Sequence, residues 1–365
     1  MEKTNRNYGI DLLRIFSMYL VTVLHILGQG GVLNAAAPDS IQYWIAWLLE
    51  ISAYCAVNCF ALISGYVMYR SKPKLSRILE LWLQIFFYGV LITVAMGISF
   101  PDVWTLENIL RLFFPISYGQ YWYLSAYFAM VLFAPILNLA VQKLDKRTLG
   151  VLLTGAFLLL CLLPSLTFQD PYALGGGYSA AWLCVLYLAG GYLHQYDVLG
   201  RCTKTLSLAL FGAAVALTFV SKYFLSPVLQ NSPDFPLKPD ALISYTSPTI
   251  VLCAIALLSF FSKLECNGKW IRRLITDFSA ASLGVYIIHI HPLIWHHYIQ
   301  DIAVAFAASR WPVMACKVFA AAAALYLVCT FIDMIRIRLF SLLKIQSLCK
   351  KAGDWFHSRC AASQR

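Results

Sequence analysis

The sequence predicts an all-α fold: a polytopic membrane helical bundle of about ten transmembrane helices, with both termini in the cytoplasm. The 365-residue chain is 60% hydrophobic and only 12% charged, whereas a soluble domain carries about 25% charged residues. Several apolar runs of roughly 20 residues match the hydrocarbon thickness of a bilayer. The third observation is that the connections between these runs alternate between rich and poor in basic residues.

Ten apolar segments follow one another along the chain, and short polar connections separate them. Residues typical of loops mark the connections, among them Pro73, the glycines at 175–177 and the prolines within 226–239. The segments run approximately over residues 9–28, 42–69, 79–98, 119–141, 149–165, 179–196, 205–225, 242–262, 278–299 and 312–335.

Lys and Arg residues are concentrated in every second connection and in the C-terminal tail. With the N-terminus in the cytoplasm, the cytoplasmic segments hold 22 basic residues and the outer loops hold three. Because cytoplasmic loops of membrane proteins are enriched in Lys and Arg, this asymmetry supports ten spans with both termini inside. The same distribution accounts for the net charge of +11, so we predict no nucleic-acid partner.

One membrane domain is predicted over residues 1–338, followed by a basic cytoplasmic tail over residues 339–365. The tail is mildly amphipathic, and we expect it to lie on the inner leaflet. The first apolar segment has no convincing signal-peptide cleavage site, so we expect it to be retained. The 11 cysteines include no Cys-x-x-Cys pair, and no His/Cys spacing typical of zinc is present, so we predict no metal site.

The first apolar segment carries an acidic, a basic and an imidazole side chain, which are costly inside a membrane and mark a functional site by default. A separation of 11 residues places Arg14 and His25 on one helix face, about 16 Å apart, which suits two parts of one elongated ligand. Asp11 neighbours Arg14 on the helix surface. The alternative is structural: Asp11 and Arg14 form an ion pair at the helix end, and His25 bonds to a neighbouring carbonyl group.

Polar residues also occur in the second and fourth segments. Asn58, Ser64 and Gly65 lie in the second segment, where small residues allow close helix contact, and Glu50 places a carboxylate inside the same apolar run. Trp122 lies near the start of the fourth segment. It belongs either to an aromatic belt at the membrane interface or to an acceptor pocket in which it stacks on a sugar.

The connection after the second segment is densely basic, running from Arg70 through Lys74 to Arg77. It suits phosphate binding from the cytoplasmic side, and it is equally typical of a loop that only determines topology. In the ninth segment, Ser282, Tyr286 and His289 form one polar stripe on an apolar helix. A second intramembrane histidine again indicates a functional site.

Four motifs, taken in their order along the chain, resemble those of the bacterial integral-membrane acyltransferase 3 family. The resemblance covers nearly the whole chain. One departure concerns the inner loop, where the family often has two arginines three residues apart and this chain has Lys74 and Arg77; lysine lacks the bidentate fork of arginine. The motifs are Arg14 and His25 with ten residues between them, Phe60-Ala-Leu-Ile-Ser64-Gly65-Tyr66, Tyr121-Trp122-Tyr123-Leu124-Ser125, and Ser282-Leu-Gly-Val-Tyr286-Ile-Ile-His289.

The resemblance implies transfer of an acyl group, commonly acetyl, from cytoplasmic acyl-CoA to a hydroxyl group. The acceptor would be an envelope glycan or a lipid-linked sugar. The protein would lie in the inner membrane of a bacterium. His25 is the expected general base. The expected roles of the other residues are CoA contact for Arg14 with Asp11 orienting it, phosphate binding for Arg77 and Lys74, cavity lining and oxyanion stabilisation for Tyr286 and His289, and substrate binding for Trp122, Glu50, Ser64 and Asn58.

A second class of function stays open. The family also resembles the membrane half of certain serine racemases, and intramembrane Arg14, His25 and Glu50 would suit a proton-coupled transporter or a flippase of a small polar molecule. The sequence does not determine the oligomeric state.

Overall fold

A computed structural model describes residues 6–71, 74–230 and 242–362, and all regular secondary structure in these ranges is helical. A π-helical turn joins α8 to α9, and a second one follows α14. The helices are α1 (Tyr8–Leu27), α2 (Val32–Ala35), α3 (Ile41–Ala53), α4 (Ala56–Met68), α5 (Leu75–Ser99), α6 (Leu106–Phe113), α7 (Trp122–Lys143), α8 (Lys146–Phe157), α9 (Leu163–Thr167), α10 (Ala180–Gln195), α11 (Lys204–Gln230), α12 (Pro248–Ser262), α13 (Lys269–His289), α14 (Pro292–Ile294), α15 (Trp311–Leu342) and α16 (Ile345–Ala362).

Each of the ten predicted apolar segments coincides with one of these helices or with a broken pair of them. The largest difference is at the ninth segment, where the helix already begins at Lys269. Among the described residues, seven helical stretches are long and apolar enough to cross a membrane, and eight if α13 and its bent continuation form one span. The predicted polytopic helical fold is therefore confirmed, while the count of ten spans and the cytoplasmic termini stay predictions.

Helix α1 lies at the centre of the bundle and packs against α3, α4, α12, α13 and α15. Its first turn is capped by Asn7, whose side-chain oxygen accepts hydrogen bonds from the backbone N–H groups of Gly9 and Ile10. Because α1 is surrounded on most sides, its few polar residues face other helices.

The ninth span is broken between α13 and α14, where the axis bends by 63°. Pro292 explains the break, because proline donates no backbone hydrogen bond and disfavours helical geometry at the residue before it. The chain then crosses the end of α1: the backbone N–H groups of Asp301 and Ala303 donate to the carbonyl groups of Gln29 and Gly30. The break thus closes one end of the bundle over α1.

Helices α4 and α10 touch each other backbone to backbone. A Cβ atom on Gly65 would lie 1.8 Å from the carbonyl oxygen of Tyr187, and one on Gly190 would lie 2.0 Å from that of Leu62. Only glycine permits this approach, which is the usual role of small residues between membrane helices. The Ser64-Gly65 pair of the second-segment motif therefore includes a helix contact.

The C-terminal helix α16 packs against the rest of the bundle. Helix α15 continues through position 338, the predicted domain boundary, to Leu342, and α16 folds back against the first turns of α5. A Cβ atom on Gly353 of α16 would lie 3.3 Å from the backbone nitrogen of Ser76. The tail thus lies beside the basic connection that precedes α5.

Candidate active site

A cavity of about 650 Å³ extends along α1, between α1, α4, α7 and α13. Arg14 lines one end and Gln29 the other, which are about 22 Å apart along the helix axis. The cavity therefore follows α1 over most of its length. The predicted site residues on its wall are Arg14, His25, Ser64, Trp122 and Tyr286.

His25 is hydrogen-bonded to a second histidine. Its Nδ1 atom lies 2.8 Å from Nε2 of His289, whose own Nδ1 lies 2.5 Å from the carbonyl oxygen of Val285. Because a carbonyl oxygen only accepts, Nδ1 of His289 carries a proton, and a neutral His289 then presents the lone pair of Nε2. His25 must donate from Nδ1, so the lone pair of its Nε2 is left for another partner.

The two histidines occupy different positions relative to the cavity. His25 lies on the wall, whereas His289 is completely buried behind it and does not line the cavity. From the sequence we predict His289 on the cavity wall, and this prediction is wrong. Because His289 lies behind His25 as seen from the cavity, it can act on a ligand only through His25. The arrangement resembles that of a hydrolase catalytic triad. In such a triad, a hydrogen bond to one ring nitrogen of the histidine fixes its tautomer and leaves the other nitrogen to act as a base.

Two aromatic residues lie beside the histidine pair, Trp295 next to His25 and Tyr286 next to His289. The ring of Trp295 meets the ring of His25 edge to face, with centroids 5.1 Å apart. The hydroxyl group of Tyr286, one turn before His289, has no hydrogen-bond partner among the described residues although it is buried. An unpaired buried hydroxyl beside a cavity is available to a ligand, since leaving it unpaired costs free energy.

A buried carboxylate holds Arg14 in place. Asp11 accepts hydrogen bonds from Nη1 of Arg14 at 2.8 Å, from Nε of Arg6 at 2.5 Å and from the hydroxyl group of Ser279 at 3.3 Å. The Arg14 side chain keeps 30% of its surface exposed, and it lines the cavity. Asp11 therefore orients Arg14 without consuming all its donors, as a guanidinium has five N–H groups.

The Lys74–Arg77 region lies near two smaller cavities at the ends of α5, α15 and α16. The first, of about 460 Å³, is lined by Lys74, Arg77 and Lys350. The second, of about 440 Å³, is lined by Arg77 and by Arg336 of α15. Glu80 lines both cavities and Asp354 the first, so two carboxylates accompany the four cations.

The second of these cavities adjoins the main one. Ala280 and Leu283 on α13 line both of them. The cations near Arg77 therefore lie on the side of the main cavity where Arg14 is.

Arg336 belongs to a network that the sequence analysis missed. It forms a bidentate ion pair with Asp333, at 2.9 and 2.8 Å, and the hydroxyl group of Tyr88 donates to the same carboxylate at 2.6 Å. Asp333 is completely buried, and a Cβ atom on Gly284 would lie 2.1 Å from it. An acid and a base three residues apart in an apolar segment was the available signal, but we counted Arg336 among the basic residues that determine topology.

The predicted acceptor-binding residues fall into two groups. Trp122 lines the cavity with Tyr178 and Tyr245, whose ring centroids lie 4.3 and 5.8 Å from its own. Ser64 also lines it, although its hydroxyl group donates to the carbonyl oxygen of Phe60 within its own helix. A ligand in the cavity would contact both Trp122 and Ser64.

Asn58 and Glu50 do not line the cavity. Asn58 is completely buried, donates to the carbonyl oxygen of Tyr245 and accepts from the indole N–H of Trp182, so it supports the cavity wall. Glu50 is buried as well, and its Oε2 atom has no hydrogen-bond partner among the described residues. In the described part of the chain no group of three or more His, Cys, Asp or Glu residues could hold a metal ion.

These features define a class of protein: a helical membrane protein in which Arg14 and His25 of one central helix line a long cavity. A family model described as an acyltransferase domain matches residues 7–332. Since this match covers most of the 365 residues, the chain belongs to the acyltransferase 3 family of membrane acyltransferases. No curated protein and no solved structure gave a significant match.

Proposed function

We propose that the protein transfers an acyl group from acyl-CoA, commonly acetyl-CoA, to a hydroxyl group of an envelope glycan or a lipid-linked sugar. The observation that carries this proposal is the His25–His289 pair on a cavity that continues from Arg14 to Gln29. A histidine on a cavity wall that keeps one ring nitrogen free suits a role as a general base.

In the proposed reaction, Nε2 of His25 takes the proton of the acceptor hydroxyl as its oxygen attacks the thioester carbonyl carbon. The new C–O bond gives a tetrahedral oxyanion, and the hydroxyl group of Tyr286 is placed to donate to it. Collapse of the oxyanion breaks the C–S bond, and the proton held by His25 passes to the leaving thiolate. His289 acts as a positioning residue, because it accepts from the imidazolium that forms.

The donor would bind at the end where the cations are. Arg77, Arg336 and Lys350 line the two small cavities, and Arg and Lys are the usual partners of phosphate oxygens. Arg14 would contact the donor further along, where the small cavity adjoins the main one. Lys74 would contribute a point charge without the bidentate geometry of arginine.

The acceptor would enter from the opposite end of the cavity. The flat faces of Trp122, Tyr178 and Tyr245 lie there, and aromatic rings offer both apolar area and polar edges to a sugar. On the predicted topology this end faces away from the cytoplasm. We therefore propose that the protein lies in the inner membrane of a bacterium and that its acceptor is on the outer side.

The direct test is mass analysis of envelope glycans from cells with and without the gene. Loss of acyl groups, restored by the wild-type chain but not by His25→Gln, would support the proposal. Unchanged acylation of every envelope glycan, together with no acyl-CoA turnover by the purified protein, would contradict it.

Transport remains the competing function, and one observation favours it. Glu50 keeps a buried carboxylate oxygen without a partner among the described residues, as a proton-coupled carrier requires. Proteoliposomes distinguish the two functions, because a carrier moves a solute across the membrane without cleaving acyl-CoA. Solute uptake abolished by Glu50→Gln, without any acyl-CoA cleavage by the wild type, would replace the enzyme hypothesis.

A further inference from the structure

A second large cavity lies on the side of the bundle, away from the candidate active site. It has a volume of about 950 Å³ and is bounded by α8, the following π-helical turn, α10 and α12. None of the residues that line it lines the active-site cavity, and the closely packed α4–α10 pair stands between the two. We call it the lateral groove.

The walls of the lateral groove are apolar over most of its length. Phe157, Leu158, Leu162 and Leu252 line it, and the three leucines are each more than a third exposed. Thr154, the polar residue among them, uses its hydroxyl group to donate to the carbonyl oxygen of Gly150. Exposed leucines in such a groove would contact hydrocarbon in a membrane.

One end of the lateral groove is cationic. Lys146 and Arg147 line it there. Both side chains are exposed, and neither forms an ion pair with any residue in the described ranges. The hydroxyl group of Tyr192 also reaches this end, next to Gly150. On the predicted topology, these groups lie at the cytoplasmic interface of the membrane.

We infer that the lateral groove binds one anionic phospholipid, with its phosphate at Lys146 and Arg147 and an acyl chain along α8. From Lys146 to Phe157 helix α8 rises by about 16 Å, and the π-helical turn extends this wall to Leu162. The wall accommodates a headgroup and a chain of one leaflet's depth, about 15 Å. Basic pockets between membrane helices on the cytoplasmic side bind such headgroups. A neutral lipid would leave both cations without a partner, so the charge selects the anionic one.

The test uses the full-length chain purified in detergent and titrated with phosphatidylglycerol or with phosphatidylcholine of the same acyl chains. Native mass spectrometry counts the bound lipids. We expect one tightly held phosphatidylglycerol in the wild type, and an affinity roughly 30-fold lower in Lys146→Gln/Arg147→Gln, because each juxtamembrane cation contributes about fivefold. The matched control is Lys143→Gln/Lys204→Gln, which removes two exposed cations that do not line the groove and should leave binding unchanged.

A second variant keeps the headgroup cations and fills the groove. Thr154→Phe places a ring among the leucines and should also release the lipid. The inference fails if the double variant binds phosphatidylglycerol as tightly as its control, or if the wild type holds phosphatidylcholine equally well. It also fails if Thr154→Phe converts a dimer into a monomer without changing lipid binding, since a second copy of the chain would then be the occupant.

Discussion

Nδ1 of His25 lies 2.8 Å from Nε2 of His289, although the two residues are 264 positions apart in the chain. A hydrogen bond between two imidazole rings thus joins helices that lie far apart in the sequence. The hydrogen bond from His289 to the carbonyl group of Val285 determines which nitrogen donates in each histidine. Of the two histidines, only His25 therefore keeps a ring nitrogen without a partner. The two histidines should therefore respond differently to the same substitution.

His25→Gln should lower kcat by about 10²- to 10⁴-fold, the usual effect of losing a positioned acid–base group. Acyl-CoA binding and protein abundance should change little, because the cations of the donor end are untouched. The measurement is steady-state turnover of the purified protein. His297→Gln is the matched control, because His297 stacks on Phe100 and does not line the cavity. Turnover by His25→Gln above roughly a third of wild type would remove His25 from the mechanism.

His289→Gln should keep much more activity than His289→Phe. A glutamine side chain can accept from His25 and donate to the carbonyl group of Val285, whereas phenylalanine can do neither. Loss of the hydrogen bond to the charged imidazolium is expected to lower kcat by roughly ten- to a hundredfold in His289→Phe, with KM for both substrates unchanged. Equal activity of the two variants would show that His289 contributes only its volume.

Arg77→Ala should weaken acyl-CoA binding by roughly ten- to a hundredfold, which corresponds to the ~1.5–3 kcal/mol of a charge-assisted hydrogen bond. Thermal stability should stay unchanged, since the Arg77 side chain is exposed. Arg70→Ala serves as the control: Arg70 belongs to the same connection but donates to Gln195, away from the small cavities. Equal KM values for acyl-CoA in wild type and Arg77→Ala would show that Arg77 does not bind the donor and that this connection only determines topology.

Asp333→Ala should destabilise the fold by about 3–5 kcal/mol, because it leaves the Arg336 guanidinium without its buried partner. Replacing both residues, in Asp333→Ala/Arg336→Met, should recover part of that loss. Unfolding of the purified protein in detergent measures both effects. Asp277→Ala removes a half-exposed carboxylate 3.9 Å from Arg273 and should cost no more than about 1 kcal/mol. A double variant less stable than Asp333→Ala would contradict the ion-pair explanation.

The topology prediction is tested with reporters fused to the chain. A fusion after residue 365 should report the cytoplasm, and one in the 166–178 connection should report the opposite side. The physical reason is the split of 22 basic residues against three. An external C-terminus would overturn the ten-span layout and, with it, the cytoplasmic location of Arg77.

Features that depend on one helix could be predicted from the sequence. The 11-residue interval between Arg14 and His25 fixes a common face through the helical period alone, and the structure has both on one cavity. The ion pair of Asp11 with Arg14 is likewise a local relationship. The ten helical segments follow from hydropathy, because membrane-spanning backbone must satisfy its own hydrogen bonds.

Features that depend on how helices pack could not be predicted. The depth of His289 behind the wall depends on the distance between α1 and α13, which no periodicity encodes. Arg336 was assigned to topology because an arginine in a buried ion pair and a topology-determining one look alike in sequence at the end of a span. The location of Asn58 inside the wall depends on its partners Tyr245 and Trp182, which lie far away in the chain.

The two ends of the candidate active-site cavity differ in chemistry: Arg14 lines one end, beside a smaller cavity that holds Arg77 and Arg336, and uncharged aromatic rings line the other. On the proposed function, the highly charged donor therefore never needs to leave the cytoplasm, and the acceptor never needs to enter it. Only the acyl group, small and neutral, changes compartment. The cell can thus modify an external polymer from an internal metabolite while the membrane stays closed to both large reactants.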